Sequence, residues 1–168
     1  MQTVTKTFNI YEFEELKTEI QQALIENEAR GIREIEIDEF LEEFLQNMAV
    51  NLLEENFEEK AVFQDVHYSL SYCQGDGAMI EFDLSYCNKN VQIRHNGGMY
   101  YHERSFVIKE VDFDKKLTDK QYNQLKNKII GINEQLTRYG YLFIEEDRTE
   151  QAIEQLKDCM FYENGDIY

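Results

Sequence analysis

Residues 74–77, Gln-Gly-Asp-Gly, are the part of the chain whose residue types come nearest to a ligand-binding loop. Two glycines allow positive φ angles and expose backbone N–H groups, which can form a nest for a phosphate or, with Asp76, bind a metal ion. Asp76 would repel a phosphate, however, and neither a Walker lysine nor an EF-hand ligand series follows. Tight turns often have this composition, so a structural turn and a binding loop both stay open.

The residue types that bind zinc or act as nucleophiles are concentrated in the middle of the chain: His67, Cys73, Cys87, His95 and His102. Zinc sites favour closely spaced pairs, whereas only His67 and Cys73 fall on one predicted strand face, and six positions separate them. No feature of the sequence marks a cysteine as an activated thiol beside a histidine. We therefore predict no metal site, no cofactor and no catalytic residue.

The strongest signal is the charge. The chain of 168 residues has 34 Asp and Glu against 17 Lys and Arg, a net charge of −17. Residues 1–60 alone have sixteen acidic against five basic side chains. Solubility needs only a modest net charge, and excess like charge destabilises a compact fold by self-repulsion. The excess therefore favours a surface that engages a cationic partner, although a merely solvated surface is the common alternative.

The same charge disfavours several classes of function. A surface this acidic repels the phosphates of DNA and RNA and the anionic headgroups of membranes. No apolar run reaches the ~20 residues of a membrane span. The N-terminal residues lack an apolar signal core, and three cysteines form no paired framework, which indicates reduced thiols in the cytoplasm.

Residues 1–60 are predicted to form an opening strand, within residues 3–10, and two acidic helices. A helical spacing of apolar residues begins near Phe13, with Asn9 and Thr18 as alternative starts, and Gly31 is expected to end this first helix or to begin the turn after it. The second helix follows from Ile37 to Leu53 with apolar residues at i, i+3, i+4 and i+7. Its opposite face is acidic.

Residues 61–113 are predicted to form an antiparallel sheet. Two alternating runs, 66–73 and 78–86, flank the glycine turn at residues 75–77 and predict a hairpin. Turns at 88–90 and 96–98 lead to further strands at 91–95 and 99–111, so a four-stranded meander is the simplest arrangement. Alternation predicts one face on the core and one face, with Met79, Glu81 and Asp83, towards water.

Residues 114–168 are predicted to return to helix. Thr118 and Gln121 match a capping box, and Thr149 is expected to cap a last helix. Gly140 resembles a residue that ends a helix, with a helix continued over residues 141–144 as the alternative. Asn164-Gly165 predicts a tight turn and, around it, a terminal hairpin of residues 161–168. The whole is expected to be one α+β domain, an antiparallel four-stranded meander with two N-terminal and two C-terminal helices packed on it.

Three segments resemble a group of small acidic proteins of phages and prophages from low-GC Gram-positive bacteria. Residues 11–16 are similar to their "YxFxEL" opening, residues 68–78 to their "SxSxxQGDGA" segment, and residues 161–165 to their "F-x-x-D/N-G" ending. The group has no assigned activity to transfer. The resemblance implies a phage origin and, by analogy, an anti-defence protein such as an anti-CRISPR inhibitor.

These observations lead to a functional hypothesis. The protein is expected to be a non-enzymatic, phage-encoded inhibitor in the bacterial cytoplasm that blocks a basic nucleic-acid-binding surface, that of a CRISPR effector nuclease, by acidic mimicry. The residues expected to contact the partner are acidic side chains and one aromatic anchor: Glu39, Glu42, Glu43, Asp76, Glu81, Asp83 and Tyr100. Tyr100 and Tyr101 should point to opposite faces, which leaves one exposed.

Two other classes of function stay open. A non-catalytic, antitoxin-like regulator of a basic partner would need the same acidic surface. An enzyme that acts on a small molecule or nucleotide would instead use the loop at residues 74–77, and it would need a pocket that holds Asp76 together with a histidine.

Overall fold

The computed structural model describes residues 7–57, 61–111 and 116–168. In chain order the elements are as follows: β1 (Tyr11–Glu12), a 3-10 turn (Phe13–Glu15), α1 (Thr18–Asn56), β2 (Ala61–Ser69), β3 (Gly77–Tyr86), β4 (Lys89–His95), β5 (Phe106–Glu110), α2 (Asp119–Glu145), α3 (Thr149–Lys157) and β6 (Met160–Phe161). The chain divides into two compact units, residues 1–39 with 146–168 and residues 40–145.

The N-terminal region contains one long helix, and the prediction of two was wrong. α1 runs without interruption from Thr18 to Asn56, and Gly31 lies inside it with helical backbone angles. A glycine costs a helix roughly 1 kcal/mol relative to alanine, which is not enough to end a helix that is stabilised on both sides. Buried Ala29 and Ile32 flank Gly31 and supply that packing. The alternative start at Thr18 is confirmed.

The strand expected within residues 3–10 is displaced along the chain. Residues 3–6 lie outside the described part of the chain, and residues 7–10 have no regular structure. The short strand is β1, which pairs antiparallel with β6. In this first unit Phe13, Leu16, Leu156 and Phe161 form one buried apolar cluster.

The predicted terminal turn is present after β6. Gly165 has a φ of +90°, and its N–H donates to the carbonyl of Tyr162. The chain then returns beside β6, where Ile167 forms an antiparallel bridge with Phe161. The turn at Asn164-Gly165 is therefore confirmed.

The second unit contains the predicted four-stranded antiparallel meander, in the order β2-β3-β4-β5. A two-residue turn at Cys87 and Asn88, both with positive φ, joins β3 to β4, as the twist of a hairpin favours. β2 begins and ends earlier than predicted, so the β2–β3 connection is a loop of residues 70–76. The last strand is shorter than predicted, because residues 96–105 form a loop ahead of β5.

One face of the sheet is apolar and buried, as the alternation predicted. Ile80, Phe82 and Leu84 are buried there, and the ring of Phe57, just after the end of α1, lies 5.6 Å from that of Phe82. The other face was expected to be solvated, but Met79 on it is fully buried. The 96–105 loop approaches β3 at this end, since a Cβ added to Gly77 would lie 2.7 Å from the Cα of His102.

The C-terminal region contains two helices, α2 and α3, whose bounds differ from those predicted. The predicted capping box holds the start of α2, where Thr118 accepts from the Gln121 N–H and donates to its side chain. Gly140 does not end α2, which continues to Glu145, so the alternative of a helix continued over residues 141–144 is confirmed. A Cβ at Gly140 would lie 2.4 Å from the end of the Leu70 side chain, which would have to move. Thr149 is the first residue of α3 rather than its cap, and Asp147 accepts hydrogen bonds from it.

The architecture is therefore a mixture of helix and strand around an antiparallel four-stranded sheet. Asn133, a fully buried polar residue of α2, links the helix to the sheet. Its side chain accepts from the N–H of Ile80 and donates to the carbonyl of Glu103 in the 96–105 loop. Among the described helices, none is both long enough and apolar enough to cross a membrane.

Candidate functional site

The acidic residues predicted on the second N-terminal helix lie on α1 and are exposed. Glu39 belongs to the first unit, while Glu42 and Glu43 belong to the second. No Lys, Arg or His nitrogen of the described residues lies within 4.0 Å of these three carboxylates. Glu42 instead accepts a hydrogen bond of 3.2 Å from Gln46, one turn along the helix.

The part of α1 in the second unit, residues 40–56, contains four glutamates and no Lys or Arg. Besides Glu42 and Glu43, these are Glu54 and Glu55, which are exposed near the C-terminal end of the helix. A negative charge at that end is opposed by the helix dipole, by about a few tenths of a kcal/mol. We call Glu42, Glu43, Glu54 and Glu55 the α1 carboxylate set. Within the described chain its carboxylates form no ion pair within 4.0 Å; Lys128, a base that reaches the C-terminal end of α1, donates to the carbonyl of Asn56 instead.

One member of this set, Glu42, lies close enough to affect the ionisation of a neighbouring tyrosine. The pKa of Tyr68 on β2 is raised above its ordinary value, chiefly because the hydroxyl is partly buried and secondly because the charge of Glu42 disfavours the phenolate.

The acidic residues predicted on β3, Glu81 and Asp83, have a different environment. The guanidinium of Arg94 on β4 forms an ion pair with Asp83 and lies 3.8 Å from Glu81. Glu81 also accepts a hydrogen bond of 2.8 Å from the N–H of His95 and lies 3.2 Å from the ring of His67. We call Glu81 and Asp83 the β3 carboxylate pair. Its charge is largely compensated within the fold.

All three histidines interact with aromatic side chains of the 96–105 loop, which follows β4. The Tyr101 ring is stacked on His67 and lies 5.1 Å from His95. His95 Nδ1 accepts from the N–H of Gly97, so in the neutral ring Nε2 donates to the carbonyl of Tyr100. Within the described residues, no group of three or more His, Cys, Asp or Glu is arranged to hold a metal ion.

Asp76 is engaged by the loop that it was expected to present to a ligand. Its carboxylate accepts from the N–H groups of Ser71 and Cys73 at 2.6 and 2.7 Å. It also accepts from the hydroxyls of Ser69 and Tyr141. The pKa of Asp76 is lowered, first by the N–H of Cys73 and then by its other donors. These bonds favour the structural interpretation of residues 74–77.

The glycines of this loop are also covered by the chain itself. A Cβ at Gly75, whose φ is +95°, would lie 2.2 Å from the ring of Tyr100. Tyr100 is half exposed and its ring is stacked on that of His102. The prediction that one of the two neighbouring tyrosines is exposed is confirmed, because Tyr101 is the less exposed of the pair.

The structure thus separates the predicted site residues. Asp76 and Tyr100 come together at the end of the β2–β3 hairpin, through Gly75. The β3 carboxylate pair lies further along the sheet with Arg94, and the α1 carboxylate set lies on the helix. Arg94 was missed as a functional candidate. The alternation of residues along β4 could have shown which sheet face Arg94 lies on. Its ion-pair partners on β3 could not have been predicted, because they depend on the register of the two strands.

A shallow groove of about 410 Å³ lies along β2, β3 and β4, on the sheet face that carries Asp83. It is lined by apolar and uncharged polar residues together with Asp83: Val62, Asp83, Leu84, Ser85, Asn90, Val91, Gln92 and Val111. Neither a histidine nor Asp76 lines this groove, so it lacks the residues that the enzyme hypothesis placed together.

Comparisons of the chain with models of protein families, with curated proteins and with solved structures found no match.

Proposed function

We propose that this protein binds a cationic surface of a partner protein, and that the α1 carboxylate set makes the decisive contacts. The observation that supports this is that the two groups of carboxylates differ in whether a basic side chain lies close enough to balance their charge. Four exposed carboxylates of residues 40–56 have no basic side chain within 4.0 Å in the described chain, whereas the β3 carboxylate pair has Arg94. Uncompensated charges are retained at some cost to stability, which selection for binding would explain.

The geometry of the helix suits rows of basic side chains. Glu43 and Glu54 are eleven positions apart, about three helical turns, so they lie on the same side of α1 and roughly 17 Å from each other. A nucleic-acid-binding groove presents Lys and Arg along a similar length, and each pair formed with a carboxylate replaces a phosphate contact.

The biological role that fits this chemistry is inhibition. We place the protein in the cytoplasm of a bacterial host, as a phage-encoded inhibitor that occupies the nucleic-acid-binding groove of a CRISPR effector nuclease. This part of the proposal rests on the resemblance of residues 11–16 and 68–78 to phage proteins together with the net charge of −17.

The test is a competition experiment. A fluorescent duplex is bound to a basic effector nuclease from a Gram-positive host, and the protein is titrated in at about 0.15 M salt. We expect displacement of the duplex, with about 10- to 100-fold weaker competition when the α1 carboxylate set is changed to glutamine. Four solvent-exposed pairs at roughly 0.5 kcal/mol each account for that range.

The matched control removes four exposed carboxylates of the first unit instead, as Glu14→Gln, Glu150→Gln, Glu154→Gln and Asp158→Asn. This variant has the same net charge as the α1 variant. Equal losses in the two variants would show that only overall charge matters. Unchanged competition by the α1 variant would remove the proposed contact surface.

A further inference from the structure

The hairpin end of the second unit exposes a group of large side chains that the acidic-surface proposal leaves unexplained. Met99 is 86% exposed, Tyr72 is 65% exposed and Tyr100 is 51% exposed. We call these three residues the tyrosine surface. Scattered exposed apolar residues need no explanation, but these belong to two loops that meet where the Tyr100 ring covers Gly75.

The two rings are held in place. Tyr72 has a φ of 58°, a left-handed conformation that is unusual for a bulky residue. Its hydroxyl donates to Glu145 at 2.7 Å, and its ring lies 4.9 Å from that of Tyr141. Asp76 fixes the backbone on either side of Tyr72 by accepting from the N–H groups of Ser71 and Cys73. The surface is therefore organised before any partner arrives, which lowers the entropic cost of binding.

The chemistry of the surface combines aromatic faces with a carboxylate. The carboxylate here is that of exposed Glu145, which accepts a hydrogen bond from the Tyr72 hydroxyl and has a second oxygen for a partner. A guanidinium group can stack on a tyrosine face while its N–H groups reach a carboxylate oxygen, whereas a lysine ammonium gains less from the stacking. Tyrosine and methionine are also enriched at the desolvated centres of protein interfaces.

We infer that the tyrosine surface is the docking site for an arginine-bearing segment of the cationic partner. This inference rests on the proposed function, because the occupant is chosen by charge complementarity with a chain of net charge −17. It adds stacking to the preference for arginine that bidentate pairing with carboxylates gives on its own. The surface selects arginine over lysine, and it supplies the apolar centre of an interface in which the α1 carboxylate set supplies the charged contacts.

The test uses the full chain and two probes, an oligoarginine peptide and an oligolysine peptide of equal length, with affinity measured by fluorescence anisotropy. We expect the wild-type protein to bind the arginine peptide about tenfold more tightly than the lysine peptide. One or two guanidinium groups stacked on tyrosine rings would give a difference of this size. Tyr72→Leu with Tyr100→Leu should reduce that preference several-fold and leave lysine-peptide binding within about twofold. Tyr122→Leu, at an exposed tyrosine on α2, is the control and should preserve it.

A pair of glycine variants tests the same surface without removing a tyrosine. Gly75 and Gly97 both have positive φ, at +95° and +78°, so alanine is strained at either position. At Gly75 the new Cβ would clash with the Tyr100 ring, whereas at Gly97 no atom lies within 4 Å of it. Gly75→Ala should therefore reduce the preference for arginine several-fold, whereas Gly97→Ala should not.

The outcomes separate the two proposals. Equal, salt-sensitive binding of both peptides by the wild-type protein would overturn the tyrosine surface and leave the acidic-surface proposal intact. Binding of neither peptide would overturn both. A dimer in sedimentation that dissociates in the double tyrosine variant would show that a second copy of this chain occupies the surface, which contradicts the arginine-bearing partner.

Discussion

The two groups of carboxylates in the second unit have the same chemistry and opposite environments. Glu81 and Asp83 lie on a sheet face with Arg94 between them and the His67 ring beside Glu81. The α1 carboxylate set lies on a helix segment without Lys or Arg and has no base within 4.0 Å in the described chain. The β3 carboxylate pair forms ion pairs between neighbouring strands, whereas the α1 carboxylate set forms none within 4.0 Å in the described chain.

Net charge is therefore a poor guide to which acidic residues bind. A count of charges treats Glu43 and Glu81 alike, although the Glu81 side chain is only 19% exposed while Glu43 lies open to solvent. A partner would have to break existing ion pairs to reach the β3 carboxylate pair, whereas it need only displace water and counterions from the α1 carboxylate set.

The largest effect is expected from removing the base that compensates the β3 carboxylate pair. Arg94→Ala should lower the free energy of unfolding by about 2 kcal/mol, because two partly buried carboxylates lose their counter-charge. The carbonyls of Phe82 and Ile93 also lose the hydrogen bonds that Arg94 donates to them. Chemical denaturation followed by circular dichroism measures the change.

The control for this variant is Arg138→Ala, at an exposed arginine of α2 without an ion pair in the described chain. It should alter stability by less than about 0.5 kcal/mol. If both arginine variants lowered the free energy of unfolding by the same small amount, Arg94 would not compensate the β3 carboxylate pair. The contrast with the α1 carboxylate set would then disappear.

A smaller, pH-dependent effect is expected at Asp76, whose carboxylate also serves the fold. Its folded-state pKa lies below the ordinary value of 3.8, so the ionised group stabilises the fold above pH 3.8. That stabilisation is lost as the pH falls through the lowered pKa. Asp76→Asn should therefore be less stable than the wild-type protein at neutral pH, and the gap should narrow in acid. Thermal unfolding from neutral pH to below 3.8 measures it; a constant gap would contradict the assignment.

Replacing Gly31, which lies in α1, with alanine is expected to stabilise the folded protein. Gly31 has helical angles, and a Cβ added there would meet nothing within 4 Å. Gly31→Ala should raise the free energy of unfolding by about 0.5–1 kcal/mol. If Gly31 instead ended a first helix, as the sequence indicated, and had a positive φ there, alanine would destabilise the fold. Equilibrium unfolding in urea distinguishes the two signs.

The smallest effect on stability is expected from neutralising the α1 carboxylate set itself. Glutamine at all four positions should leave the free energy of unfolding unchanged or raise it by about 0.5 kcal/mol, since repulsion and the unfavourable dipole interaction at Glu54 and Glu55 are relieved. A loss above about 1 kcal/mol, in the same urea titration, would show that these residues have structural partners after all.

The meander could be predicted because its signals are local. Alternation along 78–86 and the glycines near residue 75 specify a hairpin without reference to distant residues. The fate of Gly31 could not be predicted, since tertiary packing at Ala29 and Ile32 overrides its low helix propensity. The same limit applies to the site: exposure of Glu42 follows from helical periodicity, but the Arg94 ion pairs depend on the β3–β4 register.

The proposed function requires that the α1 carboxylate set, rather than the net charge, engages a cationic partner. The salt dependence of binding to the effector nuclease, compared between the α1 glutamine variant and the first-unit variant of equal charge, decides between the two. We expect affinity to fall steeply with salt for the wild-type protein and the first-unit variant, and only weakly for the α1 variant. Identical salt dependence in all three proteins would contradict the proposal.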